Sequence, residues 1–236
     1  MTNQEKEFLC HVLSAFFYPP DQELAERVNQ GAVRNFFQKT VQSLKGIEGL
    51  LRGFQMEGTS DTILQEMKGA YERLFSGVNG RGISLVESSY KPWTEDSHCP
   101  LPFASEKGLL MGDSAQHLRE VYRHCRLEIS EEFRSAPDHL CMELDFLSFL
   151  YQRANDAHIK RFLEDHLDWL PLLKDELDRV RPHPFYRGLT GILILLVDRE
   201  RERLEGDGNG KKDVDSRPSV CSGVRRAVSC HGLLET

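Results

Sequence analysis

The chain has 236 residues, of which 39% are hydrophobic and 28% are charged, a balance typical of a globular protein with a buried core. Its formal net charge of −7 argues against a nucleic-acid-binding protein, because such proteins present a basic face to the phosphates. The most apolar run, 189–197, is far shorter than the roughly 20 residues that cross a bilayer, and the first residues lack the pattern of a secretory signal. The sequence therefore predicts a cytoplasmic protein with neither membrane insertion nor a nucleic-acid partner.

Apolar residues at helical spacing predict a series of amphipathic helices in the first third of the chain. The first helix is expected to end before Pro19, and Asp21 can cap a short second helix. A third apolar stripe runs to Leu44, and either Ser60 or Asp61 can cap the helix that follows.

Residues 76–105 interrupt this pattern with several glycines and prolines, and predict a long irregular loop. Loops of this length in compact domains are usually functional, or else mobile. Its Tyr90 and Trp93, with Glu87 close by in the chain, could line a groove that binds a peptide and pairs with an arginine. The alternative is that these aromatic side chains only attach the loop to the helices, and both interpretations stay open.

Helical character returns near Ser105, and a hinge-like stretch, 126–136, follows it. A new helix is expected to begin at Pro137, with Asp138 close to the positive end of the helix dipole. Three more helices should follow. The tail, 206–236, has few large apolar residues and is predicted to be disordered. No segment shows the period of a strand, so the predicted fold class is all-α.

His139 and Glu143 are four residues apart, so on a helix they share a face. They could hold a metal ion, or His139 could act in acid–base catalysis beside Asp138; alternatively, they are ordinary structural residues. Further ligands such as His117 and His124 are not in a recognised arrangement, and the six cysteines lack a zinc-site spacing. Neither a phosphate-binding glycine loop nor a nucleophile elbow is present. The sequence therefore predicts no metal, no cofactor and no catalytic residue.

Three groups of residues occur in an order that suggests a family. They are Tyr71-Glu72-Arg73-Leu74-Phe75-Ser76-Gly77, then Glu87-Ser88-Ser89-Tyr90, and then Pro137-Asp138-His139-Leu140 followed by Glu143-Leu144-Asp145-Phe146-Leu147. In this order they resemble the TorD/DmsD/NarJ family of molybdoenzyme assembly chaperones, also called redox enzyme maturation proteins. The sequence departs from many members at Ser135, where they have a glutamate.

The resemblance implies an all-helical protein of two subdomains, about 1–125 and 137–205, that meet at the hinge 126–136. It implies a non-enzymatic chaperone that binds the catalytic subunit of a molybdenum-containing reductase, often through its twin-arginine leader peptide, before cofactor insertion and export. The client-binding residues expected from the motifs and the loop are Tyr71, Phe75, Glu87, Ser89, Tyr90, Trp93, Pro137, Asp138, His139 and Glu143.

Two other functions stay open. One is a small helical metalloprotein or hydrolase that uses His139 and Glu143, and the other is a structural subunit retained in the mature reductase. The sequence does not name the client, decide between binding of the leader and of the mature part, or fix the oligomeric state, for which a homodimer is one option. Some members of the family bind guanine nucleotide weakly, but no site for it is recognisable in this sequence.

Overall fold

The computed structural model describes residues 1–41, 47–76 and 82–206. Within these ranges the chain is helical, and two isolated bridges are the only β-type pairing. The all-α prediction is confirmed. The α-helices are α1 (Asn3–Phe16), α2 (Gln22–Asn29), α3 (Ala32–Thr40), α4 (Glu48–Leu51), α5 (Ser60–Phe75), α6 (Asp113–His124), α7 (Leu140–Arg153), α8 (Asp156–His166), α9 (Leu170–Arg179) and α10 (Pro184–Gly206). Short 3₁₀ helices lie at Arg52–Phe54, Glu87–Ser89 and Glu131–Phe133.

Side-chain caps begin several of these helices. Asp21 caps α2 as predicted, since its Oδ1 accepts from Leu24 N at 2.8 Å. The cap of α5 is Thr59 rather than Ser60 or Asp61, and its hydroxyl accepts from Thr62 N at 3.3 Å. A one-residue error of this kind is usual, because neighbouring Thr, Ser and Asp all suit the position. The expected end of the third stripe, at Leu44, lies outside the described residues.

The helix expected from about Ser105 begins only at Asp113. Left-handed backbone conformations at Gly108 (φ 85°) and Met111 (φ 62°) are incompatible with a helix there. The residues before α6 instead pair with the preceding part of the loop, and Asp113 N donates to Trp93 O at 2.8 Å. The prediction was therefore wrong for the first eight residues, whose leucines belong to the loop.

The core is built around α7, most of whose side chains are buried. α1 packs along α7, and the two backbones approach closely at a pair of small residues. Ser14 Oγ donates to Cys141 O at 3.1 Å, and Cys141 Sγ donates to Ser14 O at 3.5 Å. Earlier in α1, Leu9 and Leu13 are fully buried, and each contributes about 1.5–3 kcal/mol by leaving water.

Glycines allow α10 to pack against α4 and the Arg52–Phe54 turn. A Cβ at Gly53 would lie 2.1 Å from the carbonyl oxygen of Pro184, and one at Gly188 would lie 2.7 Å from that of Leu50. Both contacts are with backbone, which cannot move aside as a flexible side chain would. This crossing therefore requires residues without a Cβ.

A buried ion pair joins the two ends of the described chain. Lys6 Nζ on α1 lies 2.7 Å from Glu200 Oε2 on α10, and both side chains are buried. Arg203 binds the same carboxylate at 2.6 Å and Asp156 at 2.7 Å. α1, α8 and α10 are thereby linked by charge as well as by apolar packing.

Residues from both expected subdomains contribute to one hydrophobic cluster, in which α1 contacts α7 and α10 contacts α4. The division into 1–125 and 137–205 stays a prediction. Of the tail, only Gly206 is described, as the last residue of α10. The expected disorder of the remainder lies outside the described residues. Every described helix is too short or too polar to span a membrane.

The α10 crossing gives a matched pair of substitutions. Gly53→Ala should lower the free energy of unfolding by about 2 kcal/mol, because overpacking against fixed backbone costs about 1–3 kcal/mol. Gly49→Ala, four residues earlier in α4, should be neutral or slightly stabilising, since a Cβ there meets nothing within 4 Å. Urea unfolding of both variants measures the difference, and equal stability would contradict the assigned packing.

Candidate functional site

Main-chain hydrogen bonds join the start of α7 to residues 83–90. Leu140 N donates to Leu85 O at 2.8 Å, and Glu87 N donates to Asp138 O at 3.0 Å. An isolated antiparallel bridge lies between these two bonds. The middle of the expected long loop is therefore fixed to the Asp-His motif that directly precedes α7.

Asp138 attaches this segment rather than capping α7. Its carboxylate is fully buried, and Oδ2 accepts from Ser88 N at 2.8 Å and from the Ser88 hydroxyl. Burial raises the pKa of Asp138, although the two bonds from Ser88 favour the charged form and oppose the rise. The expected interaction with the N-terminus of α7 is a wrong assignment, since the helix begins three residues later than predicted, at Leu140.

His139 is the residue that caps α7. Its Nδ1 accepts from Cys141 N at 3.2 Å, and its ring lies 4.8 Å from that of Phe133. Burial lowers the pKa of His139 to about 4. The imidazole is therefore neutral at physiological pH, which the cap requires because a protonated Nδ1 cannot accept a hydrogen bond.

Glu143 follows one turn later but has a separate partner. Its carboxyl group is fully buried, and Oε2 accepts from the indole nitrogen of Trp169 at 3.2 Å. Burial, together with the charge of the nearby Glu87, raises the pKa of Glu143 well above its ordinary value. His139 and Glu143 thus do not form a pair. Across the residues described, no group of three or more His, Cys, Asp and Glu side chains is arranged to hold a metal ion.

Glu87 has no exposed surface and lies between two basic groups. His166 Nδ1 is 3.0 Å from Oε2, and Lys91 Nζ is 2.6 Å from Oε1. Burial alone would raise the pKa of Glu87, but the hydrogen bond and charge of His166, with the charge of Lys91, outweigh it and lower the pKa. Glu87 is thus ionised, and since a carboxylate only accepts, His166 Nδ1 is the donor. We call Glu87, Asp138 and Glu143 the carboxylate cluster.

The contacts of Glu87 continue to the surface on two sides. The exposed His117 lies on α6, with Nδ1 2.8 Å from His166 Nε2 and the two rings stacked at 4.9 Å. Burial and the charge of His166 lower the pKa of His117. On the other side, Lys91 Nζ lies 2.7 Å from the exposed Asp168. The segment is therefore attached to α6, α7 and the turn between α8 and α9.

Tyr90 packs inside the protein rather than lining an open groove. Its ring stacks on Trp169 at 5.0 Å, and its hydroxyl lies 2.9 Å from Ser84 O and 3.0 Å from Glu176 Oε2. Ser89 Oγ is 2.7 Å from Ser84 Oγ in the same turn. Of the two interpretations open for Tyr90, attachment of the loop to the helices agrees with this arrangement.

Trp93 is partly exposed, three residues beyond Tyr90. Its ring meets that of Phe103 edge-on at 5.2 Å, and its main-chain N–H donates to Glu106 O at 2.9 Å. The same loop exposes Leu101 by 41% and Leu110 by 48%. Apolar side chains are therefore available to a partner in residues 91–112 rather than at Tyr90.

Other expected site residues are placed elsewhere. On α5, Tyr71 and Phe75 pack with their rings 6.0 and 5.4 Å from that of Tyr186 on α10. Pro137 is buried, and its carbonyl accepts from the hydroxyl of Tyr122 at 3.2 Å. These three residues support the hinge motif and the core. Among the described residues, none of the three belongs to the hydrogen-bonded group around Glu87.

Sequence reasoning missed Lys91, His166 and Trp169, and it considered His117 only as a possible further ligand in the metalloprotein alternative. His166 and Trp169 are separated from Glu87 by 79 and 82 positions, so no spacing rule connects them. Lys91 directly follows the Glu-Ser-Ser-Tyr motif, and this neighbouring opposite charge is the one signal that could have identified it.

The cap formed by His139 predicts a specific loss of stability in acid. Its pKa is depressed by folding, so its contribution is complete above the unfolded value of about 6.5 and falls as the pH drops towards 4. His139→Asn keeps a capping side chain without titrating. From pH 7 to 4.5, wild type should lose about 2 kcal/mol more unfolding free energy than this variant. Parallel urea-unfolding profiles would contradict the assignment.

Comparison with known proteins places these motifs in a family. The family model described as nitrate reductase delta subunit matches residues 29–179, which include the carboxylate cluster. The chain is similar to the chaperone protein TorD of Vibrio atlanticus, at 25% identity over 128 residues, covering 48% of this chain and 60% of that protein. For TorD of Vibrio cholerae the identity is 26% over 125 residues, covering 47% and 57%. For TorD of Aliivibrio fischeri it is 27% over 128 residues, covering 48% and 60%.

The chain thus spans about 60% of the length of these curated relatives. The family model, by contrast, covers well over half of this chain. The chain belongs to the nitrate reductase delta subunit family, as the resemblance of its motifs to those of TorD/DmsD/NarJ molybdoenzyme assembly chaperones predicted.

Proposed function

We propose that this protein is a cytoplasmic chaperone that binds the catalytic subunit of a molybdenum-containing reductase, through its twin-arginine leader peptide, and assists cofactor insertion before export. The observation that carries the proposal is the attachment of residues 83–90 to α7 through Asp138 and Ser88, within the part matched by the family model. The relatives named as chaperones support the same class of function.

The leader has two chemical parts, paired arginines and an apolar stretch, and the protein offers a surface for each. The loop 91–112 presents Trp93, Phe103 and exposed Leu110, which suit the apolar stretch. Exposed Asp168, which Lys91 connects to the buried Glu87, supplies a carboxylate that suits the arginines by charge. The protein therefore binds the leader along residues 87–112.

The alternative of a metalloprotein or hydrolase gains no support from the contacts of its key residues. His139 Nδ1 is engaged in capping α7, and Glu143 accepts from Trp169 in a fully buried position. A metal content near one ion per purified chain would favour this alternative over the chaperone. Co-purification of the chain with mature reductase from its native host would favour the retained subunit.

Trp93→Ala should weaken binding of a leader peptide by about tenfold, because truncating a central aromatic contact commonly costs more than 1 kcal/mol. The matched control is Val180→Ala, which truncates an apolar side chain that is 52% exposed beyond α9. Calorimetry with a peptide of paired arginines followed by an apolar stretch measures both. A Trp93 variant that binds as tightly as the control would remove this loop from the proposed site.

The same titration tests recognition of the arginines. Replacing both peptide arginines by lysine should weaken binding, since lysine lacks the planar fork that bonds a carboxylate at two points. Equal affinity of the two peptides would contradict recognition of paired arginines and leave only the apolar contact.

A further inference from the structure

The ammonium of Lys91 lies in a site built from three oxygen acceptors. Glu87 Oε1 is at 2.6 Å, Asp168 Oδ1 at 2.7 Å and the main-chain oxygen of Asp165 at 2.7 Å. The acceptors come from two separate regions of the chain, the 87–90 segment and the residues at and just after the end of α8. Such convergence of a carboxylate pair and a carbonyl on one point suits a cation.

Lys91 separates the buried part of this site from solvent. The side chain of Glu87 is 0% exposed, that of Lys91 is 19% exposed, and that of Asp168 is 49% exposed. The ammonium therefore lies at the mouth, and its flexible four-carbon stem can leave without movement of the backbone. Once Lys91 leaves, Glu87 Oε1 faces the opening.

The interior behind Glu87 is already paired. Glu143 is fully buried close to Glu87, and a hydrogen bond between the two carboxyl groups contributes to the raised pKa of Glu143. His166 occupies the other oxygen of Glu87. An entering cation would therefore find its acceptors at the mouth, in Glu87 Oε1, Asp168 Oδ1 and the main-chain oxygen of Asp165.

We propose that Lys91 occupies, in the free protein, the position that an arginine of the client takes in the complex. Glu87, Asp168 and the Asp165 carbonyl form the arginine site once the lysine side chain has moved away. This inference rests on the proposed function and specifies where the leader is read. A guanidinium carries five donors where an ammonium has three, so it can bond the same three oxygens and still has donors left for a further acceptor. Trp93, two residues after Lys91, then lies next to the apolar part of the peptide.

Competition by Lys91 lowers the apparent affinity for the client. A site that is free for only a fraction of the time binds more weakly by that fraction. Lys91 also keeps Glu87 paired when no client is bound, which avoids the cost of an unpaired buried charge. Removal of the ammonium should consequently tighten peptide binding while it lowers the stability of the free protein.

Lys91→Met tests this directly, since methionine keeps an apolar stem and removes the charge. In calorimetry with the paired-arginine peptide, the variant should bind at least tenfold more tightly than wild type. Lys174→Met is the matched control, because that lysine also pairs with a carboxylate, Asp178 at 2.5 Å, but on the exposed face of α9. The control should bind within twofold of wild type. Lys91→Gln, which keeps uncharged N–H donors, serves if the methionine variant does not fold.

A second readout probes the site without the peptide. Ethylammonium chloride should raise the Tm of Lys91→Met relative to equal sodium chloride, and should not raise that of wild type or of Lys174→Met. Unchanged or weaker peptide affinity in a folded Lys91 variant overturns the proposal. Peptide binding by none of the proteins, with the ethylammonium effect retained, supports the cation site but overturns recognition of the leader. Absence of both effects makes Lys91 a structural ion pair and overturns the site.

Discussion

The hydrogen bonds from Ser88 to the buried carboxylate of Asp138 hold the 83–90 segment against the start of α7. The positions of the other side chains in the site depend on this attachment. It places Glu87 where His166 and Lys91 both reach it, and it brings Tyr90 onto the ring of Trp169. The apolar loop that follows is thereby presented from a fixed base rather than from a free chain.

The carboxylate cluster joins a loop to helices at a high cost in free energy. Burial disfavours the charged forms of all three carboxyl groups, and an unpaired buried charge costs several kcal/mol. Asp138 and Glu87 are compensated by specific donors, whereas burial raises the pKa of Glu143 and thereby favours its neutral form. Local costs of this kind tend to occur at functional sites. The cluster therefore fits a role in positioning a binding surface rather than in general stability.

The sequence was sufficient for the helices and for the family, because apolar periodicity and short ordered motifs are local features. It was insufficient to identify the partner of Asp138. Ser88 is 50 positions away in the chain, and no sequence spacing predicts a hydrogen bond between a serine and an aspartate at that separation. It also misplaced the start of α6, where left-handed backbone at Met111 overrode a helical pattern of leucines. The roles of Glu87 and Tyr90 were open for the same reason: burial is set by distant helices.

Amide hydrogen exchange of the segment in an Asp138→Ala variant tests the central claim most directly. If Asp138 is the anchor, the amides of Ser88 and of neighbouring residues in 83–90 should exchange far faster than in wild type. The amides of α10, which the anchor does not contact, should keep their protection and serve as the internal reference. Unchanged protection across 83–90 in the variant would contradict the account, because the segment would then be held by packing alone.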